Sequence, residues 1–290
     1  MNIISVYKTF PTETDCLNHI EKVRWHGKAI CPYCQSPKQT PLPKESRYHC
    51  NNCNTTFSVT VGTIFHHTHV PLQKWFLALS LVLNAKKGIS ARQLGRDLMV
   101  NKDTAWRMAM KIRQAMTQQA QRELLTGVVE MDETYIGGKP RKGSGNGMPS
   151  PRGRATKKTP VVGMIERDGK VKAKVVKNKK LNIKTLNSLV RENVDTKNTT
   201  LITDEYGGYF GIKSFMPHKV IEHKVWYVNG DAHTNNIESF WALLKRGIVG
   251  QYHKVSLRYL PKYIDEFCYR HNNRKSEDIF GLTLQRAMGV

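Results

Sequence analysis

Two Cys-x-x-Cys pairs, Cys31/Cys34 and Cys50/Cys53, restrict the N-terminal part of the chain more than any other feature. Fifteen residues separate the pairs, so an intervening hairpin can bring two tight turns together and present four sulfurs to one metal ion. Four thiolates leave no coordination position for a substrate. The pattern therefore predicts a structural zinc ion in a zinc ribbon, with redox-active cysteines or a chance spacing as the alternatives.

The charge balance indicates a polyanionic partner. Lys and Arg number 46 against 23 Asp and Glu, which gives a net charge of +23 and a pI near 9.9. Nucleic acid is the usual partner of such a protein, and an acidic membrane surface is the alternative. The longest apolar run, Trp75 to Leu83, is interrupted by Ser80 and falls short of the ~20 residues of a membrane span. Because Met1 to Asp15 lacks a secretory pattern, we expect a soluble, cytoplasmic, nucleoid-associated protein.

The segment 61–125 is predicted to hold a helix-turn-helix and a polar linker. Ser90 is placed to cap a helix from Ala91 to about Leu98, and a short turn leads into a second helix. The basic residues of that second helix, suited to DNA phosphates or base edges, are Lys102, Arg107, Lys111 and Arg113. We expect Arg107 and Lys111 to contact DNA. The alternative is an ordinary helical hairpin with solvated basic side chains.

The stretch 128–138 is predicted to be a β-strand, because β-branched and apolar residues lead to an acidic pair and a Gly-Gly break. Alternation sends Asp132 and Glu133 to opposite faces, so one carboxylate, not both, should face a site over the sheet. A lone buried carboxylate is costly unless a cation or a donor meets it, which favours Asp132 as a metal ligand. The alternative is an edge strand with two solvated acids.

A basic segment rich in Gly, Pro and Ser follows at 138–160 and contains no acidic residue. It carries too little apolar surface to fold alone. We predict a flexible loop that grips phosphates through Lys139, Arg141 and Lys142, among others. The alternative is a disordered insertion without a special role.

A second acidic residue, Asp204, ends another predicted strand at 199–203. A predicted hairpin (161–166 and 171–176) and a helix (182–194) precede that strand. A mixed sheet built in this order can bring Asp132 and Asp204 side by side.

A third acidic residue, Glu238, lies on a predicted helix within 231–247. The buried stripe of this helix is Ile237, Phe240, Trp241, Leu244 and Ile248. Glu238 lies beside the stripe, with Lys245 seven residues further on the same side, so the helix can lean Glu238 toward the two aspartates. The alternative is a capping box in which Asn235 is the N-cap and Glu238 the N3 residue. Asp231 is a substitute third acid.

Three carboxylates fit phosphodiester chemistry. Two Mg²⁺ ions about 4 Å apart can activate a water or hydroxyl and relieve charge on the leaving oxygen, and hard oxygen ligands hold such ions.

These segments together resemble those of bacterial insertion-sequence transposases of the DDE class that carry an N-terminal zinc ribbon. The resembling segments are the four ribbon cysteines, 131–139 (MDETYIGGK), Thr203-Asp204, 233–241 (HTNNIESFW), 245–247 (KRG) and 265–272 (DEFCYRHN). Between Asp204 and Glu238 lie 33 residues, close to the spacing of that family.

The resemblance implies an RNase H-like catalytic domain and activity on the element's own terminal inverted repeats. Water would first cut the strand at the element end, and the freed 3′-hydroxyl would then attack target DNA. In that scheme Asp132, Asp204 and Glu238 bind Mg²⁺ or Mn²⁺, while Lys245 and Arg246 meet DNA phosphate. Because two ends are handled at once, a homodimer or larger assembly is expected.

We therefore predict an α/β catalytic domain with an RNase H-like mixed sheet and flanking helices (126–290). A helix and zinc ribbon (1–60) and an all-α helix-turn-helix region (61–125) precede it. The leading function is DNA transposase. The alternatives are a DNA-binding transcriptional regulator, or inactive transposase remnant, that uses the ribbon and the helix-turn-helix, and a structure-specific nuclease on the same fold.

Overall fold

A computed structural model describes residues 1–117, 123–137, 158–176, 181–221 and 233–289. Its α-helices are α1 (Ile3–Thr9), α2 (Glu13–Trp25), α3 (Leu72–Asn84), α4 (Ala91–Leu98), α5 (Lys102–Thr117), α6 (Ile183–Asn193), α7 (Asn235–Arg246), α8 (Leu260–Asn272) and α9 (Ile279–Ala287). Its strands are β1 (Gln39–Leu42), β2 (Arg47–Cys50), β3 (Thr56–Phe57), β4 (Leu125–Ile136), β5 (Thr159–Glu166), β6 (Val171–Val175), β7 (Val194–Asp204) and β8 (His218–Ile221). A 3₁₀ helix covers Gly207–Ser214, and a π-helical turn covers Gly247–Gln251.

The chain divides into two compact units. The first comprises Met1–Gln118 together with Ser276–Val290, and the second comprises Gln119–Lys275. The predicted catalytic domain extended to residue 290, whereas the structure assigns the last fifteen residues to the first unit. The reason is the packing of α9, whose Phe280 ring lies 5.8 Å from that of Phe76. The backbone N–H of Ile64 also donates to the carbonyl of Ala287.

In the first unit, α2 has Thr12 as its N-cap residue. The Thr12 hydroxyl accepts the backbone N–H of Asp15 at 3.2 Å, and the Asp15 carboxylate accepts the backbone N–H of Thr12 at 3.0 Å. This reciprocal capping box fixes the first turn of the helix. Cys16 and Ile20 then face inward and are fully buried.

Helices α4 and α5 lie where the helix-turn-helix was predicted, with Ser90 capping α4 through the backbone N–H of Gln93. Met99 adopts a left-handed conformation (φ 53°) and ends α4. The turn is tight at Gly95, where a Cβ atom would lie 2.9 Å from the carbonyl oxygen of Val100. DNA recognition by this pair of helices stays a prediction.

The second unit is built on a five-stranded mixed sheet in the order β6-β5-β4-β7-β8. Strands β4, β7 and β8 are parallel, and β5 is antiparallel to both β4 and β6. The predicted mixed sheet is confirmed, including the β5–β6 hairpin with Asp168 at its turn (φ 56°). Strand β4 is central, so its side chains lie between layers of helix.

Different helices pack on the two faces of the sheet. On one face, Met131 and Met164 form a buried cluster with Leu186 of α6 and Tyr209 of the 3₁₀ helix. On the other face, α7 approaches so closely that its Trp241 lies against the backbone of Gly163. Thus α7 is held directly over the middle of the sheet.

Among the described residues, no helix combines the length and the apolar character that crossing a membrane would require.

Candidate functional site

The four predicted zinc ligands lie together in the first unit. Cys31 and Cys53 have their sulfurs 3.7 Å apart, and those of Cys34 and Cys50 are 3.5 Å apart. Four sulfurs at the corners of a tetrahedron with a zinc–sulfur bond of 2.3 Å would be about 3.8 Å apart. The spacing therefore fits zinc, and a structural metal of the ribbon follows from it.

The two cysteine turns have the same backbone pattern. In the first, the N–H of Gln35 donates to the carbonyl of Cys31, and in the second, the N–H of Asn54 donates to the carbonyl of Cys50. Gln35 (φ 59°) and Asn54 (φ 55°) both adopt the left-handed conformation that closes such a turn. A hydrogen bond from the Ser36 backbone lowers the pKa of the Cys34 thiol to about 6, which favours the thiolate that metals bind.

Asp132, within β4, lies next to Asp204, the last residue of the neighbouring parallel strand β7. In the register of β4 with β7, Glu130 is opposite Ile202. Two residues further along both strands, the same register places Asp132 beside Asp204. Oxygen atoms of both carboxylates and of Glu133 lie within 4.8 Å of one another.

The proximity of Glu133 corrects one inference from the sequence. Alternation suggested that the Glu133 carboxylate would point away from the site, yet one of its oxygens joins the group. The reason is position: β7 ends at Asp204, and the longer side chain of Glu133 on β4 can reach around that end of the neighbouring strand. The buried hydroxyl of Tyr209 donates to Glu133 at 2.6 Å and holds it there.

This cluster is electrostatically unfavourable without a cation. Burial, followed by the nearby charge of Glu133, raises the pKa of Asp132 to about 7. Asp204 and Glu238 contribute further in the same direction. Several carboxylates that share one site disfavour each other's charged forms, and a divalent ion would remove that cost.

Glu238 lies on the first turn of α7, in the neighbourhood of Asp132 but outside the closest group of carboxylates. Its side chain is exposed and accepts a hydrogen bond from the Thr234 hydroxyl at 3.1 Å. The alternative capping box does not form as written, because Thr234 and not Asn235 is the N-cap residue. The predicted buried stripe of α7 is confirmed.

Sequence reasoning missed Glu130, which is fully buried on β4. Its carboxylate accepts the backbone N–H groups of Asn236 (2.9 Å) and Ile237 (3.2 Å) at the start of α7. A signal was present, because Glu130 is two residues before Asp132 and alternation places both on one face of the sheet. A second buried carboxylate on that face needs hydrogen-bond donors or a cation of its own.

An open cavity of about 1050 Å³ extends from the acidic group. Its basic wall is Lys158, Lys245, His253 and Lys254, and its apolar wall includes Ile136, Ile248, Val249 and Leu257. Carboxylates at one end and ammonium groups along the side suit a phosphate backbone that approaches a metal site.

Family models match the chain at both of these sites. The model of the ISXO2-like transposase domain matches residues 124–272, more than half of the chain. The chain belongs to the ISXO2-like transposase family. The model of the transposase zinc-ribbon domain matches residues 11–56 of the transposase and thus spans all four ribbon cysteines. The predictions of a DNA transposase, of a zinc ribbon and of an α/β catalytic fold are confirmed.

A relative and two solved structures resemble the transposase over most of its length. It is 30% identical over 278 residues to an uncharacterized protein in transposable element ISH50 of Halobacterium salinarum, a match that covers 91% of this chain and 92% of the relative. The crystal structure of the Mos1 strand transfer complex aligns with 74% of the transposase and 75% of that chain (12% identity, TM-score 0.33). The Mos1 transposase paired-end complex with left transposon end aligns with 70% and 76% (12% identity, TM-score 0.29).

The residues predicted to bind DNA have different surroundings in the transposase. Arg107, Lys245 and Arg246 are exposed. Lys111 instead donates to the carbonyls of Ile64 (2.8 Å) and His66 (3.3 Å), so its ammonium group joins two parts of the first unit. Arg113, also named on that helix, is buried. Four residues named from the sequence lie outside the described residues: Lys139, Arg141, Lys142 and Asp231.

Proposed function

We propose that the transposase cuts DNA strands at the ends of its element and joins the freed 3′ ends to target DNA, with divalent metal ions held by Asp132, Asp204 and Glu238. The observation that carries the proposal is the close grouping of the carboxylate oxygens of Asp132, Glu133 and Asp204, where β7 ends beside β4. The raised pKa of Asp132 supports it, because burial and the neighbouring acids disfavour its charged form, which a bound cation would stabilise. Mg²⁺ or Mn²⁺ suits such oxygen ligands.

Bound divalent ions would supply activation of the attacking oxygen and relief of charge on the leaving oxygen. The residues of the chain would orient the reacting groups and hold the DNA. Glu133, fixed by Tyr209, adds a further carboxylate at the edge of the site, where it can orient a water or accept a proton. Lys245 lines the cavity beside the acids and would hold the phosphate that precedes or follows the reacting one.

The remaining basic residues would bind DNA outside the site. Lys158 and Lys254 line the same cavity and extend the positive wall along which a strand can run. In the first unit, the ribbon and the α4–α5 pair would hold the terminal repeat, with Arg107 exposed on α5. Two element ends must be joined in one event, so two copies of the chain are expected to act together.

The experiment uses a labelled duplex that carries the element end, a second target duplex and MgCl₂. The wild-type protein should cut the 3′ strand and then join it to the target. Asp132→Asn and Asp204→Asn each remove one charged ligand and should lower the cutting rate by about 10³-fold or more, with DNA affinity kept. Glu205→Gln is the matched control, because Glu205 is exposed and adjacent to Asp204.

The outcomes separate the competing functions. Binding without cutting by the wild-type protein would favour a regulator or an inactive copy. Cutting without a joined product would favour a structure-specific nuclease. Cutting that survives in both aspartate variants would show that the reaction occurs elsewhere in the chain.

A further inference from the structure

Glu130 is a buried carboxylate that the proposed chemistry does not use. It is fully buried, and four polar groups of other segments donate hydrogen bonds to it. Besides the two backbone N–H groups of α7, the Asn236 side chain donates to its Oε1 atom at 2.8 Å. The guanidinium of Arg167 donates to the same oxygen at 3.2 Å, and the Nδ1 atom of His233 lies 3.3 Å from it.

This arrangement stabilises an acid that would otherwise be costly to bury. A carboxylate at a helix N-terminus satisfies N–H groups that have no partner within the helix and also meets the positive end of the helix dipole. Here the cap comes from a strand, because the N-cap residue Thr234 makes no side-chain cap bond. Arg167 supplies the charged partner that a buried acid requires.

The contacts tie two elements together at the site. Asp132 is two residues beyond Glu130 on the same face of β4, and Glu238 is one residue beyond Ile237 on the first turn of α7. Asp132 and Glu238, two of the proposed metal ligands, are therefore linked by the side chain of Glu130 and a few backbone bonds. The proposed chemistry assigns no role to His233 and Asn236, two residues of the segment 233–241. Their contacts with Glu130 give both residues a structural role.

We propose that Glu130 is a positioning residue, which holds the start of α7 against β4 so that Glu238 stays over Asp132. The inference rests on the proposed function, since it acts through Glu238 as a metal ligand. Glu130 is not part of the group of carboxylates that would hold a metal, so in this proposal it acts only through Glu238. Its replacement should therefore weaken metal binding through the loss of Glu238 and in no other way.

The test is a double-mutant cycle with Glu130→Gln, Glu238→Gln and the combined variant. Glutamine keeps the size of Glu130 but replaces one acceptor oxygen with an NH₂ group, which faces donors and repels them. Two quantities are measured: the affinity of the DNA-free protein for Mn²⁺ by titration calorimetry, and the rate of strand cleavage at saturating DNA. Thermal melting reports the fold of each variant.

We expect Glu130→Gln to weaken Mn²⁺ affinity about tenfold, and to have no further effect on Mn²⁺ affinity or cleavage rate when Glu238 is already glutamine. Glu166→Gln is the matched control. Glu166 also accepts two backbone N–H groups, of Thr126 and Lys170, but it lies at the β5–β6 turn. Its replacement should lower the melting temperature without changing Mn²⁺ affinity.

Additive losses of Mn²⁺ affinity from Glu130→Gln and Glu238→Gln would overturn the inference, since they would show that Glu130 acts independently of Glu238. An unchanged affinity in Glu130→Gln would do the same. A different result, in which Glu238→Gln alone changes neither affinity nor cleavage, would refute the proposed ligand set and the inference that runs through it.

If Glu130→Gln does not fold, Asn236→Ala replaces it in the cycle. This change removes one side-chain bond to Glu130 and leaves both backbone bonds in place. A smaller loss of Mn²⁺ affinity, again absent in the Glu238→Gln background, is expected. A loss of equal size in both backgrounds would refute the inference.

Discussion

Gly163 sets the distance between helix α7 and the sheet. It is opposite Asp132 on the neighbouring strand, and α7 packs directly on its backbone. A Cβ atom at this position would lie 2.6 Å from the Cη2 atom of Trp241 and 2.9 Å from the Cδ1 atom of Ile237. Since non-bonded carbon atoms do not approach so closely, any side chain here requires Trp241 and Ile237, or the helix that carries them, to shift.

Gly163→Ala is therefore expected to destabilise the protein by about 1–3 kcal/mol, the usual cost of an overpacked core. The free energy of unfolding is measured by urea titration. Gly250→Ala is the control, because a Cβ atom at Gly250 would meet nothing within 4 Å. A loss of stability that is equal in the two variants would contradict the close packing at Gly163.

Some residues of the site could be predicted from the sequence and others could not. Asp132 and Asp204 stood out because each follows an apolar β-run, and parallel strands bring such positions to one edge of a sheet. Glu130 was missed and Glu133 was predicted to point away from the site, because the partners of both are distant in the chain. Glu130 accepts a hydrogen bond from Asn236, and Glu133 accepts one from Tyr209. No local sequence pattern predicts either contact.

Among the elements, the zinc ribbon is the one whose stability depends most on a bound metal ion in addition to its own packing. Strands β1 to β3 are short, and the core beside them consists largely of the rings of Trp25, Tyr48 and Phe57. An element of this size rarely folds without a metal or another covalent restraint.

Cys50→Ser is expected to abolish zinc binding and to unfold the ribbon, because three thiolates cannot complete the tetrahedron. Bound zinc is measured by release into a colorimetric chelator, and the ribbon fold is measured by the protection of its amides from exchange. Cys268→Ser is the control, since Cys268 is buried in the second unit and is not one of the four clustered cysteines. One zinc per chain that persists in Cys50→Ser would argue against the four-cysteine site.

Most helices were predictable because local signals agreed. Helices α2, α4 and α6 each begin at a capping side chain that was visible in the sequence, and each has an inward apolar face. Strand β8 was missed, since its four residues have little pattern and pair only through a parallel neighbour. Helices α1 and α9 were missed because both are short and take their stability from packing within the first unit.

For the whole molecule, the net charge of +23 dominates the expected behaviour with DNA. A protein that neutralises several phosphates releases the counterions condensed on them, so its affinity falls steeply with salt. We expect the dissociation constant for the element end to rise by at least about 10³-fold between 50 and 200 mM salt. Fluorescence anisotropy of a labelled duplex measures it.

Replacing Lys245 and Arg246 by glutamine should reduce the slope of log affinity against log salt by about 1 for each residue that contacts a phosphate. Lys111→Gln should leave the slope unchanged, because the Lys111 ammonium group is bonded to carbonyls of its own unit. An affinity that hardly changes over this salt range would refute an interface dominated by phosphates.

The discontinuity of the first unit has a consequence for synthesis. Residues 1–117 emerge from the ribosome early, but their core is completed by α9, at Ile279–Ala287. The second unit has all of its residues by Lys275 and can fold first. A nascent chain therefore keeps an unfinished ribbon and helical unit until α9 has been synthesised, and a truncated product that lacks α9 would expose Phe76 and be a natural target for proteolysis.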